Sequence, residues 1–408
     1  MVEDGHLQGH LPRGLTRTAA LNVVAGHFLL TFFPYLGNYL WNSRTITQRV
    51  VSQRFEFESW LGAAPFTILF NGTFPVCIFF VLSGYVLSWK FIEQGDHAYL
   101  RASALKRFPR LVAPVFASVL FAWALLTLGV MRTTEAAAIG AASFLSEAYN
   151  QPVSLMSALW IGAIGAPLLG QTTINVPLWT IKIELLGSFL LFAVYAMSGS
   201  KSPLLALAAF LILLIGFIPG SANIIFFSGF IAGSLLHYIK PPIGGRIWIS
   251  LALIIAGLIA GGFDYSPLYY WLDDIKLPDI APVITDIHGS RMNLYYMAGA
   301  ICLVAGFVST PPLVRVLCHP LFAHLGRLSF SMYLIHWPII CSLSLSIVAL
   351  GLSQGLSYLP AVGASAIVTL PAVMLAAALF SRFVDEPAIR MGNWLAASFL
   401  AKEKGRPS

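Results

Sequence analysis

Four groups of residues in this 408-residue chain are of types that do chemistry: His27, Lys182 with Glu184, His336, and the run Lys106–Arg107–Phe108–Pro109–Arg110. Histidine exchanges a proton near neutral pH more readily than other side chains, so His27 and His336 are candidate acid–base groups. Glu184 is a candidate proton acceptor, an acceptor for a hydroxyl, or the partner of a bundle arginine. Lys182 and Glu184 lie two residues apart, so on a helix they point about 200° away from each other and do not pair side by side. Three cations within five residues suit phosphate groups, because arginine presents a planar fork of donors. Retention of positive charge at a membrane face, with contact to anionic lipid, explains the same run when it is taken alone.

The surroundings make these residues notable. The chain is 58% hydrophobic and 10% charged, with a mean hydropathy of +0.79. A soluble protein carries about 25% charged residues, so this chain lacks the charge to solvate a surface of its own. A bilayer core about 30 Å thick needs roughly 20 apolar residues per helix. Such stretches recur near 18–36, 63–89, 111–131, 178–198, 203–219, 223–238, 247–262, 292–309, 329–350 and 360–381. The expected fold is all-α and membrane-integral, a single bundle of about ten transmembrane helices. Residues 152–170 are also apolar, but Pro152, Pro167 and several glycines interrupt them, and an interfacial or re-entrant segment is expected there. The first apolar run follows a polar stretch with Arg13 and Arg17 and has no clear small-residue cleavage site, so it reads as a retained helix.

An ionisable group inside hydrocarbon costs several kcal/mol and is a functional candidate by default. His27 lies ten residues past Arg17, about 15 Å into the bilayer at 1.5 Å per residue. His336 stands in Ser329–Phe330–Ser331–Met332–Tyr333–Leu334–Ile335–His336–Trp337–Pro338, where the proline interrupts the helical hydrogen-bond ladder. Pro109 is expected to preset the entry of the third helix.

Orientation follows from the cations, which are retained on the cytoplasmic side. With the N-terminus inside, Arg44, Arg49, Arg54, Arg132, Lys276 and Arg291 are outer, Lys182 is within a helix, and the other seventeen of the 24 lysines and arginines are cytoplasmic. Both termini are therefore expected in the cytoplasm, and the +7 net charge reports topology, with no nucleic-acid partner implied. The expected organisation is a cytoplasmic segment over 1–17, a membrane domain over 18–390 and a basic cytoplasmic tail over 391–408. Asp264, Asp273, Asp274, Asp279 and Asp286 crowd one long outer loop that opens with Tyr265, Tyr269, Tyr270 and Trp271. These aromatics read as an interfacial belt or as a lid that stacks on a sugar. The four cysteines (Cys77, Cys302, Cys318 and Cys341) lack metal-ligand spacing, so no metal site is expected.

Six motifs in order carry a resemblance. They are Arg17–Thr18–Ala19–Ala20–Leu21–Asn22–Val23–Val24–Ala25–Gly26–His27–Phe28, then Phe79–Phe80–Val81–Leu82–Ser83–Gly84–Tyr85–Val86–Leu87, then the basic run with Leu111 and Pro114. Leu178–Trp179–Thr180–Ile181–Lys182–Ile183–Glu184, the Ser329 to Pro338 run and Phe383–Val384–Asp385–Glu386–Pro387 complete the set. Together they resemble the acyltransferase-3 family of membrane-bound O-acyltransferases over roughly residues 13–390. In one place the register departs from the family's: nine residues separate Arg17 from His27, where ten are usual. Arg17 reaching around, local unwinding of the helix, or Arg13 in its place would each accommodate that.

The resemblance implies transfer of an acyl group, acetyl foremost, from cytoplasmic acyl-CoA to a hydroxyl of a glycan or glycolipid, in a bacterial inner membrane. No permanently bound cofactor is implied; acyl-CoA is a co-substrate, and oligomeric state is left open. It implies catalytic roles for His27, Arg17 and Glu184, donor binding by Lys106, Arg107, Arg110, Ser83 and Gly84, and acceptor binding by Trp179, Tyr333, His336 and Glu386. His27 would act as general base on the hydroxyl or be acylated itself. The Ser83–Gly84 pair suits either a close approach of backbone to the thioester or close helix packing. A proton-coupled transporter or flippase of a glycan or small solute is the alternative, since intramembrane His and Glu also mark proton relays.

Overall fold

The computed structural model describes residues 2–40, 51–149, 151–199, 202–217, 224–239, 247–264, 266–273, 288–310 and 320–404. Side chains are described throughout these except at 2–13, 17, 147–148, 215–217, 273, 288–291, 320–327 and 402–404. The described residues are 83% helix and include no strand. The principal helices are α1 (Val2–Phe32), α2 (Thr73–Gln94), α3 (His97–Thr127), α4 (Leu155–Trp160), α5 (Trp179–Ser198) and α6 (Leu204–Phe217). They continue as α7 (Ile224–Leu235), α8 (Ile247–Gly261), α9 (His288–Val308), α10 (Pro320–Ile339), α11 (Tyr358–Phe380) and α12 (Glu386–Lys404). Three π-helical stretches, Ile161–Leu169, Ile340–Ser344 and Ser381–Asp385, extend α4, α10 and α11.

Among the described residues, each apolar stretch read from the sequence contains a helix. Five helices among the described residues are long and apolar enough to cross a membrane. A sixth span is possible if Gly14–Phe32 and Pro34–Leu40, bent by 109° at their break, count as one, and the other apolar helices there are shorter, between 10 and 17 residues. Residues 155–169 are continuous helix, α-helical to Trp160 and π-helical from Ile161, and 15 residues at no more than 1.5 Å rise reach at most about 22 Å, less than a bilayer core. Several boundaries differ from expectation: α1 begins already at Val2 and α10 at Pro320, and two other differences bear on the motifs. The second helix begins at Thr73, ten residues late, because Asn71 caps it there: its Oδ1 accepts from the Thr73 and Phe74 amides at 3.0 and 3.3 Å. The third begins at His97, so Pro109 and Pro114 both lie inside it instead of opening it.

The helices group into two compact units, where the sequence suggested one bundle. The first unit holds Met1–Gly26, Tyr35–Leu100 and Gly187–Gly326. Its packing rests on small residues, as expected where lipid removes the hydrophobic drive between helices. A Cβ on Gly84 of α2 would come within 1.9 Å of the Phe230 carbonyl oxygen of α7, and one on Gly233 within 1.9 Å of the Val81 oxygen. The last carbonyls of α8 and its exit have no helical partner. Side chains supply it: Tyr269 Oη donates to Ile259 O at 2.6 Å, Asn71 Nδ2 to Gly261 O at 3.2 Å, Thr67 Oγ1 to Gly262 O at 2.8 Å and Tyr296 Oη to Phe263 O at 3.0 Å.

The second unit holds His27–Pro34, Arg101–Leu186 and Arg327–Ser408. It satisfies the end of α1 in the same way. Tyr358 Oη donates to Phe32 O at 2.7 Å, and the Ala142 amide to Thr31 O at 2.8 Å. Gly162 seats the π-helical stretch against Phe116 of α3.

Candidate active site

The second unit brings together residues that stand 309 positions apart in sequence. His27 Nδ1 lies 2.8 Å from His336 Nε2, and the rings lie edge to edge and nearly parallel, with centroids 5.0 Å apart at 17°. His336 is fully buried, whereas part of His27 stays accessible. The far nitrogen of His336, Nδ1, is 2.9 Å from the carbonyl oxygen of Met332 one turn back. Trp337 meets His27 edge-on at 5.1 Å. Its Nε1–H donates to Tyr149 Oη at 2.7 Å, and Tyr149 donates onward to Ile174 O at 3.2 Å. An indole so held forms a fixed wall beside the His27 ring.

The lower part of α10 is anchored on the segment that leads into α5. Tyr333 Oη donates to Pro177 O at 2.6 Å and accepts from Thr180 Oγ1 at 2.7 Å. Pro338 has no amide hydrogen, so the Leu334 carbonyl four residues earlier lacks its helical donor. Asn175 Nδ2 takes that place at 2.8 Å.

Arg107 of α3 forms an ion pair with Glu184 of α5, through NH2 and Oε1. Both are largely buried, with 8% and 16% of their side-chain surfaces exposed. Glu184 thus takes the arginine-partner role among those open to it. Lys182 points the other way, its aliphatic stem passing Gly170, which turns with φ +74°. From Glu184 it is one turn along α5 to Thr180, across to Tyr333, and one turn along α10 to His336. At 1.5 Å per residue the histidine pair stands about 10 Å along the helix axes from the ion pair.

Of the basic run, Arg110 is exposed and Lys106 half-buried, whereas Arg107 is 7% exposed. Gly392 of α12 approaches the Lys106 backbone, where a Cβ would meet its carbonyl oxygen at 3.2 Å. The Asp385–Glu386–Pro387 motif precedes this contact, and Asp385 interacts electrostatically with Arg110. Glu386 is exposed and opens α12, so it sits at the end of the unit that carries the basic run. Trp179 is half-buried at the start of α5.

In the first unit, Ser83 is half-buried and Gly84 is taken up by packing against α7. The Arg17 and Arg13 side chains lie outside the described residues. The backbone of α1 is helical without a break from Val2 to Phe32, so no unwinding alters the register of its residues. Cys318 and most of the outer loop, including Tyr265, Asp274, Asp279 and Asp286, also lie outside the described residues. Tyr270 and Trp271 are 42% and 61% exposed. Among the described residues, no three His, Cys, Asp or Glu are close enough to hold a metal ion.

Sequence reasoning singled out both histidines but did not pair them, and it missed Asn175, Thr180, Tyr149 and Trp337 as their supports. Only the proline within the His336 motif signalled that a donor must come from elsewhere.

A histidine pair, a largely buried ion pair and a neighbouring basic run stand on an all-helical, apolar scaffold of the kind a multi-pass membrane protein has. The family described as an acyltransferase domain matches residues 18–379, and the chain belongs to it. It is a transferase of acyl groups. The chain is also similar to Acyltransferase R4 of Phoma sp., with 23% identity over 386 residues, covering 79% of this chain and 80% of that one. No solved structure matches it.

Proposed function

We propose that this protein moves an acyl group, acetyl foremost, from cytoplasmic acyl-CoA to a hydroxyl of a glycan or glycolipid, with His27 at the reacting centre. The reading includes about ten membrane crossings, both termini in the cytoplasm, and residence in a plasma membrane, the bacterial inner membrane. The distribution of lysine and arginine supports the orientation.

The observation that carries the reading is the 2.8 Å contact of His27 with His336, in a unit whose basic run lies about 10 Å away along the helices. CoA is polyanionic and its pantetheine arm is long and thin. Lys106 and Arg110 suit its phosphates, and the arm would carry the thioester up to His27. The acceptor oxygen attacks the thioester carbon and the carbon–sulfur bond breaks. The hydroxyl proton passes to His27 and then to the departing thiolate, releasing CoA as its thiol.

The experiment uses radiolabelled acetyl-CoA with membranes from cells expressing the wild type or His27→Gln at equal abundance. Glutamine keeps a hydrogen-bonding side chain but takes up no proton near neutral pH. Label should enter the glycan or glycolipid fraction with the wild type and fall about 10²–10⁴-fold in the variant. Equal labelling would make His27 a packing histidine, and absence of label from every wild-type product would remove acyl-CoA as the donor.

A further inference from the structure

We propose that His336 is a positioning residue that fixes the proton arrangement of His27, so that Nε2 of His27 is the nitrogen that does the chemistry. The proposal rests on the acyl-transfer reading above and goes beyond it by naming the reactive atom and what sets it.

The protons are assigned from the hydrogen-bond network. A backbone carbonyl only accepts, so His336 Nδ1, 2.9 Å from Met332 O, carries a proton. His336 is wholly buried, where a charged imidazolium without an anionic partner is strongly disfavoured. In the neutral ring a proton on Nδ1 leaves Nε2 as a bare lone pair. His27 Nδ1 faces that lone pair at 2.8 Å and must donate to it. In neutral His27 the proton on Nδ1 leaves the lone pair on Nε2. The backbone of α10 thereby dictates, through two rings, which nitrogen of His27 can accept a proton.

The same contact acts during the reaction. As His27 takes the hydroxyl proton on Nε2 its ring becomes cationic, and the Nδ1–H bond to His336 becomes charge-assisted and stronger. The stabilisation is larger in the transition state than before it, which is what raises kcat and leaves KM alone. The Trp337 edge at 5.1 Å and the Trp337–Tyr149 hydrogen bond hold the rings in register.

Two substitutions separate an acceptor from a space-filler. His336→Gln places a carbonyl oxygen near the position of Nε2; His336→Leu fills the space and accepts nothing. In purified protein at matched melting temperature, the glutamine variant should keep kcat within about tenfold, while leucine lowers it roughly 10²–10⁴-fold, the range for loss of a correctly held base. KM for acetyl-CoA should stay within about twofold in both, since only the transition state is touched. Equal losses in the two variants, a loss expressed in KM, or full activity with leucine would overturn the proposal. A second measurement does not depend on turnover or on the His336 variants folding. ¹⁵N spectra of histidine-labelled wild type, with His27 assigned by difference from His27→Gln, should show a protonated Nδ1 and a bare Nε2. The opposite tautomer sinks the proposal. The expected tautomer in a protein that moves no label from acetyl-CoA would count against the donor and leave the positioning role standing.

Discussion

Asn175 donates its side-chain amide to the carbonyl of Leu334 at 2.8 Å, replacing the amide hydrogen that Pro338 does not have. Asn175→Ala should therefore destabilise the protein by about 1–3 kcal/mol, the cost of a buried carbonyl left without a donor. Pro338→Ala restores the helical donor. The pair should be non-additive: Asn175→Ala should cost much less in the Pro338→Ala background. Additive losses of melting temperature would show that the two residues act separately.

Gly84 tests the packing of the first unit. An added Cβ would stand 1.9 Å from the Phe230 backbone oxygen, and a backbone atom inside a helix cannot move aside as a flexible side chain can. Gly84→Ala should reduce accumulation of folded protein by more than the roughly 1–3 kcal/mol typical of overpacking. Ser83→Ala, at the half-buried neighbour, should accumulate normally. A Gly84→Ala protein that folds normally and loses only donor affinity would return this glycine to the thioester.

The comparison of these two sites shows what was legible in the sequence. Apolar stretches, their helical state and the chemistry-bearing residue types were readable because each depends on local composition. The entry to α2 was not, because Asn71 rather than hydropathy sets where that helix starts. The roles of Gly84 and Glu184 were each narrowed to a short set of options, and the partner chosen, Phe230 or Arg107, lies far away in sequence. The His27–His336 contact was beyond reach for the same reason: each histidine was visible, but a distance of 309 residues carries no periodic signal.

Asp264 gives a pH dependence with a definite sign. It is fully buried beyond the end of α8, and burial is the main cause that holds its carboxyl above the usual aspartate value; hydrogen bonds from Ser266 oppose this. Oδ1 accepts from the Ser266 amide at 2.8 Å, while Oδ2 has no hydrogen-bond partner among the described residues. A raised folded-state value means that the folded protein keeps a proton that the unfolded chain has lost. The resulting penalty is absent below the unfolded value of about 4 and grows as pH rises toward the folded one. Asp264→Asn keeps an acceptor and cannot ionise. The melting temperature of the wild type relative to this variant should fall as pH rises through that window. Parallel curves, or a wild type that gains on the variant, would contradict the assignment.

The final prediction separates Arg107 from its neighbours in the basic run. Arg107 is buried and paired with Glu184, and breaking a buried pair from one side typically costs about 3–5 kcal/mol. Arg107→Ala should therefore impair folding, so its effect on donor binding is uninformative by itself. Arg107→Met with Glu184→Leu removes both charges together and should recover accumulation relative to either single change. If that double variant still transfers acyl groups, Glu184 is the arginine's partner and not a catalytic residue. Donor binding is tested at Lys106 and Arg110, which retain exposed surface. Lys106→Ala with Arg110→Ala should raise KM for acetyl-CoA, each lost charge-assisted contact being worth about 1.5–3 kcal/mol, while kcat holds. The control donor is S-acetyl-pantetheine, which carries the thioester without the nucleotide phosphates. Its KM should be the same in wild type and variant. If acetyl-CoA binds the variant as well as the wild type, or if both donors weaken equally, the two cations serve the lipid surface and the phosphates are held elsewhere.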